Sequence, residues 1–291
     1  MFLVMLKLFC IFAVCYGRQP HKHKEEVIDT SISANGSPQQ AYTVLLSLTN
    51  FNTVFCSGTL LNEYWVLTIA TCLKRGKLTD ITVHKETKLP NGTIMYTGKR
   101  FARIERAFIH QEFGVPLSTY NDLAILRLDR AIEIYENQTR IVLPTKVEDV
   151  EMKFRNQPLH MTRYCSIHNS IEYKDAFPQD RAMCNYPYNK ASFNKIFCAL
   201  FQEERKTKFK DASDKGGPVV DRNHTLYGLV PYALLCRRMA DRYCFCGFTK
   251  IDMFVDFIND TINNYENGIA GIYAAPVPPL LFIFTFIHSA T

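Results

Sequence analysis

The chain has 291 residues, of which 47% are hydrophobic and 21% are charged, and its formal net charge at pH 7 is +6. This composition is ordinary for a globular protein, and nothing in it indicates disorder over long stretches. The positive charge is modest and scattered. We interpret its two dense basic segments, residues 21–24 and 205–210, as solvated surface and expect no nucleic-acid partner.

The N-terminus has the pattern of a secretory signal peptide. A basic residue, Lys7, lies within the apolar stretch Met1–Val14, and the small residue Gly17 closes the segment. A transmembrane anchor needs about twenty apolar residues, whereas residues 18–26 are strongly polar. We therefore predict a signal peptide over residues 1–17, followed by a polar N-terminal segment over residues 18–31.

Short alternating apolar runs separated by turn residues follow, at intervals typical of an all-β barrel or sandwich. The runs are Tyr42–Leu48, Val54–Leu61, Trp65–Ile69, Ile81–His84, Ile94–Tyr96, Phe108–His110, Leu123–Leu128, Val219–Val220 and Thr225–Val230. Over Ile251–Ile262 the apolar residues instead recur at helical spacing, which predicts a helix with one face on a core.

Residues 264–291 form a tail of different character, in which a Pro-rich stretch precedes the hydrophobic run Leu280–Ile287. Three interpretations remain open. The tail is a glycolipid-anchor signal, with attachment near Asn267–Gly268 or Ala274–Ala275, or a weak transmembrane span, or a segment that packs on the domain. The prolines and the shortness of the run argue against a span.

The cysteines and the glycosylation sequons indicate an extracellular protein. Of ten cysteines, Cys10 and Cys15 lie in the signal peptide, which leaves eight. An even number in a secreted chain favours disulfides, and no pair has convincing zinc-finger spacing, so we expect neither a metal nor a cofactor. The Asn-x-Ser/Thr sequons predict glycosylation at Asn35, Asn91, Asn137, Asn223 and Asn259.

Three segments together carry a resemblance to a known family. They are residues 56–72 (CSGTLLNEYWVLTIATC), 121–128 (NDLAILRL) and 213–220 (SDKGGPVV). In order and spacing they resemble the chymotrypsin/trypsin signatures C-G-G-S-L-I…W-V-L-T-A-A-H-C, N-D-I-A-L-L-x-L and G-D-S-G-G-P-x-V. The resemblance covers residues 32–263 and implies an all-β fold of two six-stranded antiparallel Greek-key β-barrels with a C-terminal helix.

The same resemblance locates the positions of the catalytic triad. The general-base histidine corresponds to Thr71, the orienting aspartate to Asp122 and the nucleophilic serine to Lys215. A threonine hydroxyl does not accept a proton at neutral pH, and an ammonium group is not a nucleophile. The resemblance therefore implies a protein that is not a peptidase. The alternative enzyme, in which Lys215 serves as base for Ser213, is disfavoured because the two side chains on that tight loop point in different directions.

Further family features are also altered. Phe209 stands at the base of the primary specificity pocket, and Asp211 and Asp221 stand where cysteines are expected. The activation site, matched by residues 31–34, has no basic residue before Ile32, so Asp214 lacks the ammonium that pairs with it in family proteases. We expect the activation region to have rearranged, another cation such as Lys215 to compensate, or Asp214 to be solvent-exposed.

The disulfide framework is implied by the resemblance only in part. The resemblance implies that Cys56 pairs with Cys72 and that Cys184 pairs with Cys198. The remaining cysteines allow three pairings, of which a Cys236–Cys246 bridge across the walls of the old pocket is attractive; they are Cys165, Cys236, Cys244 and Cys246.

Two partners are open for Asp122, since the imidazole that covers it in the family is absent. Lys215 has the reach to form an ion pair with Asp122. Alternatively, Asp122 accepts hydrogen bonds from Thr71 and from nearby backbone amides.

Together these features predict a secreted, inactive protease homologue that binds another extracellular protein. Such homologues in insects resemble cofactors of immune cascades or components of seminal fluid. Immune cofactors commonly carry a cysteine-rich clip domain, and no cysteine lies between Gly17 and Cys56, so elimination favours a reproductive or other extracellular role. The alternatives are a glycolipid-anchored or membrane-tethered surface protein and an enzyme with lysine-based chemistry.

Overall fold

The computed structural model of the chain describes residues 42–49, 53–85, 87–88, 94–95, 101–115, 120–134, 140–165, 170–184, 193–202, 215–231, 237–240 and 243–268. The strands of the first part are β1 (Thr43–Leu48), β2 (Thr53–Asn62), β3 (Trp65–Thr68), β4 (Ile81–Lys85), β5 (Thr87–Lys88), β6 (Ile94–Met95), β7 (Phe101–Ile109) and β8 (Ala124–Leu128). Those of the second part are β9 (Leu159–Cys165), β10 (Ser170–Gln179), β11 (Ile196–Gln202), β12 (Pro218–Val220), β13 (Leu226–Leu229), β14 (Arg237–Ala240) and β15 (Tyr243–Lys250). The α-helices are α1 (Val150–Lys153) and α2 (Val255–Glu266).

The first barrel is a closed antiparallel sheet in the order β1-β2-β3-β8-β7-β4. Alternate side chains of these strands fill its interior, as the strand pleat requires. Val44, Leu46, Val66 and Leu126 are fully buried there. The short β5–β6 hairpin stands apart from this sheet.

The second barrel runs β11-β10-β9-β12-β13-β15 and closes by pairing β15 with β11. Along one edge β15 pairs with β11 over its whole length, and along the other it pairs with β13 and β14. A separate core fills this barrel, in which Phe197 and Phe248 stack with ring centroids 5.3 Å apart. The predicted architecture of two six-stranded barrels and a C-terminal helix is confirmed.

The two barrels and the helix share apolar contacts. Leu45 of β1 packs with Tyr164 and Ile171 of the second barrel, which explains why both faces of β1 are buried. Phe254 and Ile258, at the start of α2, join the core of the first barrel. Of the helices that the structure describes, none is both long and apolar enough to cross a membrane.

The C-terminal helix begins later than its apolar spacing predicts. Ile251–Met253 forms a 3-10 turn, and α2 runs from Val255 to Glu266. The turn is held by a buried ion pair between Lys250 and Asp252, whose Nζ and Oδ2 atoms are 3.1 Å apart. Both side chains also bond the backbone of Glu148, so Asp252 is fixed outside the helix.

The sequence-predicted strands also differ from the structure in extent. Phe108 and Ile109 are only the end of the longer strand β7, and of the predicted run Ile94–Tyr96 the structure describes Ile94–Met95, which forms β6. Strands β9, β10, β11, β14 and β15 were absent from the apolar pattern.

Candidate functional site

Thr71 and Asp122 lie in direct contact at the edge of the first barrel. Thr71 belongs to the 3-10 turn Ala70–Arg75 that follows β3, and Asp122 precedes β8. The Thr71 backbone N–H donates to Asp122 Oδ1 at 2.7 Å, and the Thr71 hydroxyl donates to Oδ2 at 2.7 Å. Both carboxylate oxygens are thus engaged by one residue.

Asp122 is placed by the backbone and the neighbours of Asn121. Asn121 has a φ of 49°, in the left-handed region that asparagine tolerates better than most residues. Its side chain donates to the Glu112 carbonyl at 3.2 Å and accepts from Lys195 Nζ at 2.7 Å. These contacts turn the next side chain inward, where Asp122 is only 3% exposed.

Burial dominates the electrostatics of Asp122. It raises the pKa of the carboxyl group above its ordinary value, because a charged group in a low-dielectric interior is disfavoured. The two bonds from Thr71, the ammonium of Lys74 and the Ala70 backbone oppose this effect and lower the pKa. The Thr71 hydroxyl proton is directed at the carboxylate, so Asp122 serves as its acceptor.

Lys215 reaches the same place from the second barrel. Its carbonyl accepts a hydrogen bond from the Ser57 N–H at 2.7 Å and lies 3.9 Å from Cys72 Sγ. Cys72 follows Thr71 in the chain and forms a disulfide with Cys56. The structure therefore brings the positions 71, 122 and 215 together between the barrels.

Gly216 makes this approach possible. Its φ is +82°, and an added Cβ would lie 2.3 Å from Thr68 Oγ1 and 2.4 Å from the Ser57 carbonyl oxygen. Its N–H donates to the Val230 carbonyl at 2.7 Å, which ties the loop to the second barrel. Only glycine fits this backbone at this distance.

The structure also distinguishes the two partners considered for Asp122. Among the ion pairs of the described side chains none joins Lys215 to Asp122, and Thr71 occupies both carboxylate oxygens. The second alternative, hydrogen bonds from Thr71 and its backbone, is the one that the structure contains.

No histidine of the described residues is hydrogen-bonded to Asp122. The His110 backbone N–H donates to the Leu123 carbonyl at 3.0 Å, but its ring packs edge-on against Phe254 and Phe257 at centroid distances of 5.4 and 4.8 Å. Burial lowers the pKa of His110, and Lys195 lowers it further. The His110 ring thus packs on the N-terminal end of α2.

Two disulfides are present among the described residues, Cys56–Cys72 and Cys184–Cys198. Cys246 is disulfide-bonded as well. Its predicted partner, Cys236, lies outside the described residues, so that pairing stays a prediction.

Other predicted positions also fall outside the described residues: Asn35, Asn91, Asn137, Phe209, Asp211, Ser213 and Asp214. Asp221, which stands at a cysteine position, is described and has a structural role. Its Oδ1 accepts from the N–H groups of Asn223 and Thr225, both at 2.9 Å, and so closes the β12–β13 turn.

Sequence reasoning overlooked three cations next to Thr71. Lys74, Arg75 and Lys77 are all exposed, and Lys74 Nζ lies 4.6 Å from the centroid of the Phe113 ring. The sequence K-R-G-K was the available signal, but the glycine interrupts the run.

Comparisons with known proteins relate the chain to one family by sequence and by fold. Residues 32–258 match the model of the family described as Trypsin. The chain is 27% identical to human Kallikrein-7 over 250 residues, which are 83% of this chain and 89% of that protein. A solved structure of a Kallikrein-related peptidase 10 complex with Zn²⁺ superposes with a TM-score of 0.58 at 19% identity, covering 78% of this chain and 97% of the other. That structural match supports the fold alone.

Proposed function

The chain belongs to the trypsin family, and on this premise we propose that it hydrolyses no peptide bonds and acts outside the cell by binding another protein. One observation carries the proposal. The Thr71 hydroxyl lies 2.7 Å from Asp122, at the position where a family protease needs a general base.

Acyl transfer in this family needs a nucleophile whose proton is taken by a neighbouring base. The Thr71 hydroxyl donates to Asp122 and, with an alcohol's very weak basicity, accepts no proton at neutral pH. Loss of one triad member typically lowers turnover by several orders of magnitude. Here both the base and the nucleophile positions carry other residues, Thr71 and Lys215.

Asp122 has a structural role in this account. A buried carboxylate without partners is costly, and the two Thr71 bonds supply those partners. The former catalytic aspartate thus fixes the turn 70–75 against the first barrel.

Secretion is supported by the predicted signal peptide and by the disulfides Cys56–Cys72 and Cys184–Cys198, since disulfides persist in oxidising compartments. Two sequon asparagines, Asn223 and Asn259, have exposed side chains. Treatment of the secreted protein with peptide N-glycosidase is expected to lower its apparent mass. Replacement of both asparagines by glutamine should remove their share of that shift.

The binding role follows from what the chain retains. The described strands retain both barrels of the scaffold, whereas the base and nucleophile positions carry Thr71 and Lys215. Because no cysteine lies between Gly17 and Cys56, we favour a reproductive or other extracellular process over an immune cascade. Tethering by residues 264–291 is the second candidate, and release from cells by a phospholipase that cuts glycolipid anchors would establish it.

The direct test is labelling with a fluorophosphonate probe of serine hydrolases, with human kallikrein-7 as the positive control. We expect no labelling of the purified secreted protein at a probe concentration that labels the control fully. Labelling that disappears in the Lys215→Ala variant would overturn the proposal. Affinity purification with and without residues 268–291 then identifies the partner and the contribution of the tail.

A further inference from the structure

A cluster of three cations lies at the end of the turn that carries Thr71 and just beyond it. Lys74, Arg75 and Lys77 fall within four consecutive residues, and each is exposed. We call these three residues the basic rim.

The turn presents the basic rim rigidly. Cys72 is fully buried and disulfide-bonded to Cys56, and Leu73 is only 9% exposed. Beyond the rim, Leu78 packs against the core of the first barrel. A backbone fixed in this way does not have to be ordered when a ligand binds, so the entropy cost is limited to the three side chains.

Lys74 is the residue of the basic rim that lies nearest to Asp122, whose pKa it lowers. Its ammonium lies 4.6 Å from the centroid of the Phe113 ring. Asp122 in turn is bonded to Thr71, at the point where Lys215 arrives from the second barrel. The rim therefore borders the former active-site cleft.

Lys74 lowers the pKa of the Asp122 carboxyl group, whereas two other acidic residues near the basic rim in sequence or in space have other partners. Glu112 is 3.7 Å from Lys195, and the Asp80 carboxylate accepts from the Thr79 hydroxyl at 3.2 Å. Among the ion pairs of the described side chains, none includes a residue of the basic rim. Within the part of the chain that the structure describes, the cations of the basic rim are therefore exposed and form no ion pair.

We propose that the basic rim binds an acidic segment of the partner protein, a short run of Asp or Glu side chains beside the cleft. The inference rests on the proposed function, because it assigns the surface through which a non-catalytic chain recognises its partner. Three cations within four residues, with the Phe113 ring adjacent, match a short acidic peptide carrying an apolar residue. A sulfated polysaccharide is favoured by a longer track of cations than this turn provides.

The experiment measures the affinity of the secreted full-length protein for a fluorescein-labelled peptide of eight glutamates and one central phenylalanine, by fluorescence anisotropy at low and at physiological salt. The test variant carries Lys74→Gln, Arg75→Gln and Lys77→Gln. The matched control removes three other exposed cations: Arg140→Gln, Lys146→Gln and Arg155→Gln. Both variants lose the same net charge, and circular dichroism verifies that each is folded.

We expect the rim variant to bind the peptide at least about tenfold more weakly, and the control variant to change affinity by less than about twofold. The wild-type affinity should fall as salt rises. Equal losses of peptide affinity in both variants would mean that the protein's net charge alone causes the binding, and this would overturn the proposal. So would tight, rim-dependent binding of a heparin octasaccharide with no binding of the peptide, or no binding of the peptide at all. Fluorophosphonate labelling of the same samples tests the proposed function separately.

Discussion

Thr71→Val tests the contact between Thr71 and Asp122, because valine keeps the shape of threonine and removes the hydroxyl. The variant loses the 2.7 Å bond to Asp122 Oδ2 and leaves that oxygen without its donor in a residue only 3% exposed. Hydrogen bonds to charged groups contribute about 1.5–3 kcal/mol, and an unsatisfied buried group adds to the loss. We expect the free energy of unfolding to fall by about 2 kcal/mol, which corresponds to about 4–8 °C in Tm for a domain of this size.

The pH dependence of this loss follows from the raised pKa of Asp122. A carboxyl group whose folded pKa lies above its unfolded pKa binds more protons when folded, so its stability penalty is present at neutral pH and is relieved as pH falls between the two values. The hydrogen bond from the Thr71 hydroxyl lowers the pKa of Asp122. Its removal therefore raises the folded-state pKa further and widens the pH range between the unfolded and folded values. The difference in stability between wild type and Thr71→Val should therefore shrink on acidification from pH 7 towards pH 4.

Guanidinium denaturation with the disulfides intact, at pH 7 and near pH 4.5, measures both effects. Thr79→Val is a matched control, since the Thr79 hydroxyl donates to Asp80 at 3.2 Å on the exposed surface, where we expect a loss below about 0.5 kcal/mol. The reasoning fails if Thr71→Val is as stable as Thr79→Val at pH 7. It also fails if the loss grows on acidification.

Two further substitutions test how the loop and the helix are held. Gly216→Ala should cost more than about 3 kcal/mol, because its Cβ meets the Ser57 carbonyl oxygen at 2.4 Å; Gly114→Ala, at a φ of +81° with no atom within 4 Å, should cost only about 1 kcal/mol. Thermal unfolding compares the two, and equal losses would contradict the packing argument. Lys250→Met should destabilise the fold by about 3–5 kcal/mol, because it leaves Asp252 charged and buried, whereas the double variant Lys250→Met, Asp252→Leu should recover much of the loss. Chemical denaturation measures both, and a double variant no better than the single one would refute this account of the pair.

The convergence of positions 71, 122 and 215 could be predicted from motif order and spacing, because the fold fixes where those segments meet. The partner of Asp122 could not be predicted from the sequence, since both Thr71 and Lys215 have the necessary reach. Thr71 prevails in the structure because one residue of a short turn supplies two donors, the hydroxyl and the N–H, at 2.7 Å each.

The strands of the second barrel were harder to predict for a different reason. In β10 the apolar alternation is interrupted by Asp175, which lies 2.8 Å from His160, and by Pro178. Similarly, the spacing of Ile251 with later apolar residues predicted an early helix start. In the structure the helix begins at Val255, because the buried Lys250–Asp252 ion pair holds the preceding residues in a 3-10 turn. Apolar periodicity does not reveal such a pair.

The most direct test of the central claim is cleavage of a proteome-derived peptide library by the purified secreted protein, read by mass spectrometry against a buffer blank. Kallikrein-7 at equal concentration verifies that the library is cleavable. The account predicts no cleavage product above the blank after prolonged incubation at neutral pH. Specific cleavage that persists through purification and is abolished by Lys215→Ala would contradict it.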